Sequence, residues 1–332
     1  MNATRGTGGP FDPDALLRDF NLYDRNVDIV SAYQWAFTRI QELAPTVDHF
    51  ERYPRTQHQD GRDGTPDFTV LFKDGRAILG EIANIARRDE SVDGLCRQLA
   101  RYGEVEGVPG SDGKQHRPST VDVLFLTPMD TGRDAARRLF EERVDNPQHS
   151  YKPTRRPVMV QFARTDERYV FQPWPDRAIN GTLALGPTDV GIFPELKLRP
   201  DRFASIKAQY AFMNDPVKPL YLATRLWTSV FPSRFWVDDA KNEFTATADS
   251  IAAMVRQDYG RGRVADVKEA MSILSAAGLA TSSLDGDWTV TRRTLRNDVH
   301  KAITDRIAKG SSTPPSRRRQ KREPDAAQGA LF

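Results

Sequence analysis

The fold of this chain is best predicted from one stretch, Gly64–Tyr102. Its sequence is GTPDFTVLFKDGRAILGEIANIARRDESVDGLCRQLARY. Two apolar runs, Phe68–Phe72 and Ala77–Ala83, flank the pair Asp74-Gly75. An Asp-Gly pair between two such runs is a strong signal for a tight reversal of the chain. A polar segment that is typical of a helix follows the second run. The sequence therefore predicts a β-hairpin followed directly by a helix.

Two acidic residues stand at the ends of the predicted strands. Asp67 precedes the first strand and Glu81 lies near the end of the second, fourteen positions later, so the hairpin brings both to one end of a sheet. Gln98 and Tyr102 are four residues apart and share one face of the following helix. Two converging carboxylates suit a hard divalent cation, and such a site is typical of metal-assisted phosphodiester cleavage.

In these residues the chain resembles the PD-(D/E)xK nuclease superfamily, which has the restriction-endonuclease-like fold. Pro66-Asp67 matches the PD element, and Glu81-Ile82-Ala83-Asn84 lies where the ExK element is expected. Gln98–Tyr102 is similar to the QxxxY motif of the RecB-like branch. The resemblance covers roughly residues 28–165, and its specificity lies in the order and spacing of the three motifs.

The resemblance implies an α/β fold with a mixed sheet flanked by helices and a metal-dependent deoxyribonuclease activity. It implies that Asp67, Glu81 and the carbonyl of Ile82 hold Mg²⁺ or Mn²⁺. Gln98 and Tyr102 would position the metal site or the scissile phosphate. A homodimer is one assembly that the family allows, although the sequence shows no dimer surface.

The chain departs from the family at the lysine, which is replaced by Asn84 if Ala83 is taken as the middle residue. Asparagine can orient a water molecule but carries no charge. Arg87 and Arg88, just past the motif, and Lys73, in the preceding turn, are candidates for the missing cation. An inactive nuclease fold that binds DNA therefore stays open as an alternative.

The composition describes a polar globular chain of 332 residues with 28% charged residues and a net charge of +3. The tail 310–332 carries this net charge, because the residues before it contain 43 basic and 43 acidic side chains. Nucleic acid would thus be bound by local patches rather than by bulk charge. One cysteine excludes an internal disulfide and a cysteine-rich zinc site. The lack of a long apolar run or a secretion signal favours a cytoplasmic protein without membrane contact.

Candidate DNA-binding residues are basic side chains beside the two motif regions. The segment that leads into Asp67 and the segment after Glu81 supply one group, and a predicted helix and the strands after it supply another. These residues are Arg52, Arg55, Arg87, Arg88, Arg263, Lys268, Arg292 and Arg293. Solvated surface charges are the alternative interpretation.

Five regions follow from the patterns along the chain. They are an N-terminal extension (1–27), the nuclease-like domain (28–172), a connector rich in Pro and Gly (173–200), a winged helix-turn-helix domain (201–309) and a disordered basic tail (310–332). In the fourth region, predicted helices are followed by two short strands around Asp285-Gly286-Asp287, which is typical of a winged helix.

The chain ends in Gln328-Gly329-Ala330-Leu331-Phe332, which is similar to the peptide that binds bacterial sliding clamps. Leu331 and Phe332 are large apolar residues after a polar tether, so they favour a hydrophobic pocket on a partner, and Gln328 would add hydrogen bonds. The predicted function is a clamp-recruited DNA nuclease in repair, replication-linked processing or phage defence. The alternatives are an inactive DNA-binding protein and a clamp adaptor.

Overall fold

The computed structural model describes residues 11–58, 63–83, 89–176, 180–183, 195–237, 242–283, 286–295 and 298–312. Contacts divide the chain into two compact units. One, here called the sheet unit, comprises Asn21–Val217 and Gln257–Arg261. The other, here called the small unit, comprises Met1–Phe20, Lys218–Arg256 and Gly262–Phe332.

The chain up to Val217 alternates helices and strands. The helices are α1 (Pro13–Arg39), α2 (Asp89–Gly103), α3 (Gly132–Ala136), which continues as a π-helical segment (Arg137–Val144), and α4 (Pro200–Gln209); two 3₁₀ turns cover Ala44–Thr46 and Met129–Thr131. The strands are β1 (Val47–Arg52), β2 (Thr56–His58), β3 (Asp63–Gly64), β4 (Phe68–Phe72), β5 (Arg76–Ile82), β6 (Val105–Pro109), β7 (Gln115–His116), β8 (Thr120–Pro128), β9 (Val158–Arg164), β10 (Tyr169–Pro173) and β11 (Leu196–Leu198).

The main sheet has seven strands in the order β1-β4-β5-β8-β9-β10-β11. The strands β1, β4 and β5 pair antiparallel, whereas β5, β8 and β9 pair parallel. The last strands, β10 and β11, return to antiparallel pairing. The prediction of an α/β fold with a mixed sheet flanked by helices is therefore confirmed. A smaller sheet has the order β3-β2-β6-β7.

Opposite faces of the main sheet are covered by α1 and α2. On one face the Tyr33 ring of α1 stacks on Phe68 of β4, with ring centroids 5.3 Å apart. On the other face Leu95 and Leu99 of α2 lie in a buried cluster with Leu79 of β5. Side chains alternate between the two faces along each strand. Phe68 therefore identifies the positions of the hairpin that face α1, and Leu79 identifies those that face α2.

The hairpin of β4 and β5 depends on two glycines. Gly75 has a φ of +85° in the turn, a conformation that side chains disfavour. Gly80 lies opposite Phe68 in the strand register. A Cβ atom at Gly80 would lie 2.1 Å from the Phe68 ring. The absence of a side chain at Gly80 therefore lets that ring cover β5 directly beside Glu81.

The first helix is longer than the sequence analysis predicted, because it begins within the proposed N-terminal extension. Asp12 caps it: its Oδ1 accepts a hydrogen bond from the backbone N–H of Asp14, at 3.0 Å. Pro13 occupies the first helical position, where its missing N–H costs nothing. The Asp12-Pro13 pair thus marks the start of a helix inside the region that the sequence analysis named the N-terminal extension (1–27).

The proposed connector 173–200 was also wrong at its end, since β11 pairs with β10 at the edge of the sheet. The compact units divide after Val217, so α4 belongs to the sheet unit rather than to a winged helix. Burial of Leu196 and Leu198 explains the pairing. The tail begins later than predicted too, because the last helix continues to Ser312; residues 313–332 lie outside the described part.

The small unit contains a three-stranded sheet and several helices. Its elements are α5 (Pro219–Arg225), a π-helical segment (Leu226–Val230), α6 (Phe231–Arg234), β12 (Glu243–Thr247), α7 (Ala248–Tyr259), α8 (Val264–Ala276), β13 (Ala280–Ser282), β14 (Asp287–Thr291) and α9 (Val299–Ser312). The strand order is β12-β14-β13. Trp227, Phe231 and Phe244 belong to an aromatic cluster beside this sheet. In the described parts of both units, no helix has the length and apolar character that crossing a membrane requires.

Candidate functional site

The hairpin register places Asp67 and Glu81 side by side. Phe68 pairs with Gly80, so the next position outward sets Asp67 against Glu81 at the end of the two strands. Oδ2 of Asp67 accepts a hydrogen bond from the backbone N–H of Ile82 at 2.7 Å. Side chains opposite each other on antiparallel strands lie about 5 Å apart at their Cβ atoms. The two carboxylates therefore share one small region.

The helix α2 places an amide and a phenol over Glu81. The Tyr102 hydroxyl donates to Oε2 of Glu81 at 2.9 Å, and Nε2 of Gln98 donates to the Tyr102 oxygen at 2.6 Å. Tyr102 is buried, and burial raises the pKa of its phenol, which stays a proton donor. Asp67, Glu81, Gln98 and Tyr102 thus lie together as the sequence spacing predicted.

Burial makes both carboxyl groups unusually basic. It raises the pKa of Asp67 to about 7, against the opposing effect of the Ile82 N–H and with a further contribution from the charge of Asp215. The pKa of Glu81 is also raised, first by burial and next by the charge of Asp67, although Tyr102 acts in the opposite direction. Neighbouring carboxylates that cannot both ionise freely share a proton or attract a cation.

The donor set fits a hard divalent cation of the Mg²⁺ class. Two oxygen ligands with raised pKa values would lose their mutual repulsion on binding a cation, and Mg²⁺ commonly takes one or two carboxylates while retaining water. Within the described residues, no group of three or more His, Cys, Asp or Glu side chains is arranged to hold a metal. Asp67 and Glu81, with the main-chain carbonyl of Ile82, are the oxygen donors at the end of the hairpin that could hold such a cation.

The position expected for the family's lysine holds no cation. Alternation along β5 puts Ala83 two residues beyond Glu81, and Ala83 packs against the same cluster as Leu79. The residue two positions beyond Glu81 on the same face of the strand is thus Ala83, and Asn84, which the sequence analysis placed at the lysine position, lies outside the described residues. Lys73 is also excluded, because it lies in the turn at the far end of the hairpin, six residues or about 20 Å of strand from Asp67.

The basic residues proposed around the motif occupy different environments. Arg52, at the end of β1, is partly buried, whereas Arg55 is exposed. Nη1 of Arg52 donates to Oγ of Ser31 in α1 at 3.0 Å, so this guanidinium is fixed on the protein. The candidates Arg87 and Arg88 lie outside the described residues, as does the tail peptide Gln328, Leu331 and Phe332.

In the small unit, two of the proposed DNA-binding arginines already make internal contacts. Arg263 pairs with Asp266, at 2.8 Å. Arg292 lies over the Trp236 ring, 5.9 Å from its centroid. Lys268 and Arg293 are exposed. Of the four proposed DNA-binding residues in the small unit, these two are therefore the more accessible to a phosphate group.

Two residues of this site were missed by the sequence analysis. Asp215 follows a segment held by α1, since the Met213 N–H donates to the Tyr23 hydroxyl at 2.8 Å, and its charge acts on both Asp67 and Glu81. Tyr53 hydrogen-bonds through its backbone N–H to the Asp67 carbonyl at 2.9 Å. No local pattern marks Asp215, whereas the position of Tyr53 between Arg52 and Pro54 was a weak turn signal.

The open space beside the site is small. A cavity of about 190 Å³ is lined by Gly64, Thr65, Gly94, Gln98, Arg101 and Tyr102. This volume accommodates water or a phosphate group but is below the roughly 300 Å³ typical of a pocket for a whole small molecule. A larger cavity, of about 510 Å³, also lies beside the C-terminal end of α2, where Leu99, Ala100 and Gly103 line it, but its lining does not include Asp67, Glu81, Gln98 or Tyr102.

Cys96 is a free cysteine on α2. It is buried, and burial raises the pKa of its thiol to about 11. A thiol that stays protonated at neutral pH is a poor nucleophile, so the chemistry of this region rests on the carboxylates.

Comparison of the chain with protein-family models, with curated proteins and with solved structures gives no match in any of the three.

Proposed function

We propose that this protein is a divalent-cation-dependent nuclease that hydrolyses phosphodiester bonds in DNA. The observation that carries the proposal is the pair Asp67 and Glu81 at the end of the hairpin, with Tyr102 and Gln98 bonded in series to Glu81. Both the motif spacing and the strand order support it, because α1, three antiparallel strands, α2 and a parallel strand follow one another as a restriction-endonuclease-like core requires.

The chain's own groups would divide the work of hydrolysis. Asp67, Glu81 and the Ile82 carbonyl would hold Mg²⁺ or Mn²⁺, which when bound supplies Lewis-acid stabilisation of phosphate charge. Tyr102 keeps Glu81 oriented through its hydrogen bond. Binding of the cation would favour the ionised form of both carboxyl groups, so Asp67 and Glu81 would act as ligands at neutral pH.

A catalytically inactive DNA-binding protein is the second candidate, and Ala83 is the observation that favours it. The side chain two residues beyond Glu81 on the α2 face of β5 carries no charge to orient water or neutralise the transition state. A nuclease built on this site needs its cation from elsewhere in the fold.

A cleavage assay tests the proposal. Labelled single-stranded, duplex, flap and branched DNA would be incubated with the protein in Mg²⁺ and in Mn²⁺, beside Glu81→Ala and the matched control Glu141→Ala, an exposed glutamate. We expect cleavage by the natural chain and the control, and loss by at least about 100-fold in Glu81→Ala, since a ligand and proton acceptor is removed. Binding without cleavage by all three proteins would instead establish the inactive alternative.

The small unit extends the proposal to a winged helix that contacts DNA. Its order of β12, α7, α8, β13 and β14 supports this assignment. In the binding arm of the same assay, Arg293→Ala would reduce the salt dependence of affinity if the exposed Arg293 contacts phosphate. An unchanged slope would remove Arg293 from the interface.

We further propose that the terminal peptide binds a bacterial sliding clamp and so recruits the protein to DNA in the cytoplasm. Deleting Leu331 and Phe332 is expected to abolish capture of the chain by a purified clamp, because two apolar anchors are lost. Surface plasmon resonance with immobilised clamp would measure this, with Gln320→Ala in the same tail as the control. Equal binding by the shortened chain would exclude the clamp role and leave the nuclease proposal unaffected.

A further inference from the structure

The guanidinium of Arg52 is held rigidly at the margin of the candidate site. Nη1 donates to Ser31 of α1 at 3.0 Å and lies 3.4 Å from Oε1 of Gln34. The group also lies over the rings of Tyr53 and Tyr210, at 5.7 Å and 5.6 Å from their centroids. Two aromatic rings and two helix side chains therefore fix its orientation.

The opposite edge of this guanidinium has no hydrogen-bond partner. Nε and Nη2 of Arg52 and the hydroxyl of Tyr53 are all buried without a partner atom. Burial raises the pKa of the Tyr53 phenol, and the charge of Arg52 together with a contact between the two side chains opposes this rise, so the donors of both residues lie side by side. A buried donor without a partner costs free energy, so three neighbouring donors of this kind indicate a site made for an absent acceptor.

The backbone of Tyr53 carries a second cost at the same place. Its φ is +50°, and among the described residues it is the one non-glycine with a positive φ. Residues other than glycine rarely adopt this left-handed backbone conformation. Such outliers concentrate at functional sites. The N–H of Tyr53 is bonded to the carbonyl of Asp67, so the strained residue adjoins the first carboxylate.

We propose that Arg52 and Tyr53 form a phosphate-binding site of this protein at the end of β1, on the α1 face of the sheet. The proposal rests on the function proposed above. The Nε and Nη2 edge of an arginine is a planar fork that matches two oxygens of one phosphate group, and the Tyr53 hydroxyl adds a third donor. The acceptor is a phosphodiester group of DNA next to the bond that Asp67 and Glu81 act on.

Tyr210 is the exposed neighbour of this site. The three donor atoms are shielded from solvent, whereas Tyr210, which directly follows α4, is 42% exposed and its ring centroid lies 5.6 Å from the Arg52 guanidinium. An exposed side chain changes rotamer within nanoseconds, so rotation of Tyr210 is the movement that we expect to admit a phosphate oxygen.

The test measures DNA binding and stability together, in the Glu81→Ala background, so that cleavage does not affect the result. Tyr53→Phe removes a hydroxyl that has no partner in the folded protein. We expect this variant to unfold at a higher denaturant concentration and yet to bind a labelled oligonucleotide about 10–100-fold more weakly, as for loss of one hydrogen bond to a charged group. A hydroxyl with a purely structural role would not give both changes.

Arg52→Ala and Arg52→Lys complete the series, with Arg39→Ala as a control at the exposed end of α1. In Arg52→Ala we expect the slope of log affinity against log salt concentration to become shallower by about one, which corresponds to the loss of one phosphate contact. In Arg52→Lys we expect the slope of the parent to be retained, with a lower affinity. Arg39→Ala should match the parent.

Failure of this inference and failure of the proposed function give different results. Binding and salt slopes that match the parent in Arg52→Ala and Tyr53→Phe would overturn the phosphate site even if the natural chain cleaves DNA. A natural chain that never cleaves, but loses binding in these two variants, would retain the phosphate site and exclude the nuclease activity. If Arg52→Ala does not fold, Tyr53→Phe and Arg52→Lys decide the outcome.

Discussion

Replacing Asp67 with Asn is expected to abolish DNA cleavage while making the protein more stable. Cleavage should fall by at least about 1,000-fold, because an amide oxygen is a much weaker ligand for a divalent cation and cannot accept a proton as a carboxylate does. Stability should rise by about 1–2 kcal/mol at pH 8, since a charge is removed whose burial costs more than the Ile82 N–H and the charge of Arg52 recover. The amide oxygen still accepts the Ile82 N–H that Oδ2 of Asp67 accepts now, so the local backbone is retained.

The gain in stability of Asp67→Asn should depend on pH. The folded pKa of Asp67 is about 7, above the ordinary value of 3.8. Between these values the folded protein binds more protons than the unfolded chain, so stability falls as the pH rises through this window. Asp67→Asn should flatten that fall, which denaturant titrations at several pH values between 4 and 8 would show. The exposed Asp166→Asn is the control. Equal pH profiles for the parent and Asp67→Asn would contradict the raised pKa.

Replacing Lys207 with Met is expected to destabilise the sheet unit by about 3–5 kcal/mol, as for removal of one partner from a buried ion pair. Nζ of Lys207 lies 2.6 Å from Oδ1 of Asp28 and 2.7 Å from Oδ1 of Asp24. The Asp28 side chain is only 4% exposed, and its Oδ2 accepts the Tyr169 hydroxyl at 2.7 Å. The change would leave two carboxylates on α1 without their amine.

Acid pH and a second substitution should each rescue this variant. Burial raises the pKa of Asp28 while Lys207 opposes the rise, so loss of the lysine raises it further, and the deficit should shrink as the pH is lowered and the carboxyl becomes protonated. Lys207→Met combined with Asp28→Asn should recover most of the lost free energy of unfolding. Lys197→Met, in an exposed pair with Glu195, should change it by less than about 0.5 kcal/mol. A deficit that is independent of pH would show that the loss comes from packing.

Local sequence was sufficient to predict the hairpin and the residues at its end. The Asp74-Gly75 turn fixes the register of β4 and β5, and register determines which side chains face each other. The spacing of Gln98 and Tyr102 likewise follows from the helical repeat.

Boundaries that depend on distant partners were not accessible in this way. The strand β11 carries only three residues, and it forms because β10 offers an unpaired edge and Leu196 and Leu198 become buried there. The assignment of Asn84 to the lysine position also depended on strand faces, which the packing of Ala83 shows.

The sequence by itself determined the pair Asp67 and Glu81 and the helix face that covers it, because the interactions that align them span a few residues each. The protonation behaviour of these two carboxyl groups, in contrast, depends on the tertiary structure. Burial raises the pKa of both carboxyl groups, and Asp215 adds to this from a segment far along the chain. The fork of Arg52 and the hydroxyl of Tyr53 are likewise left without partners by packing against α1 and Tyr210. Burial and electrostatic interaction depend on distance in space rather than on separation along the chain, so no local pattern encodes them.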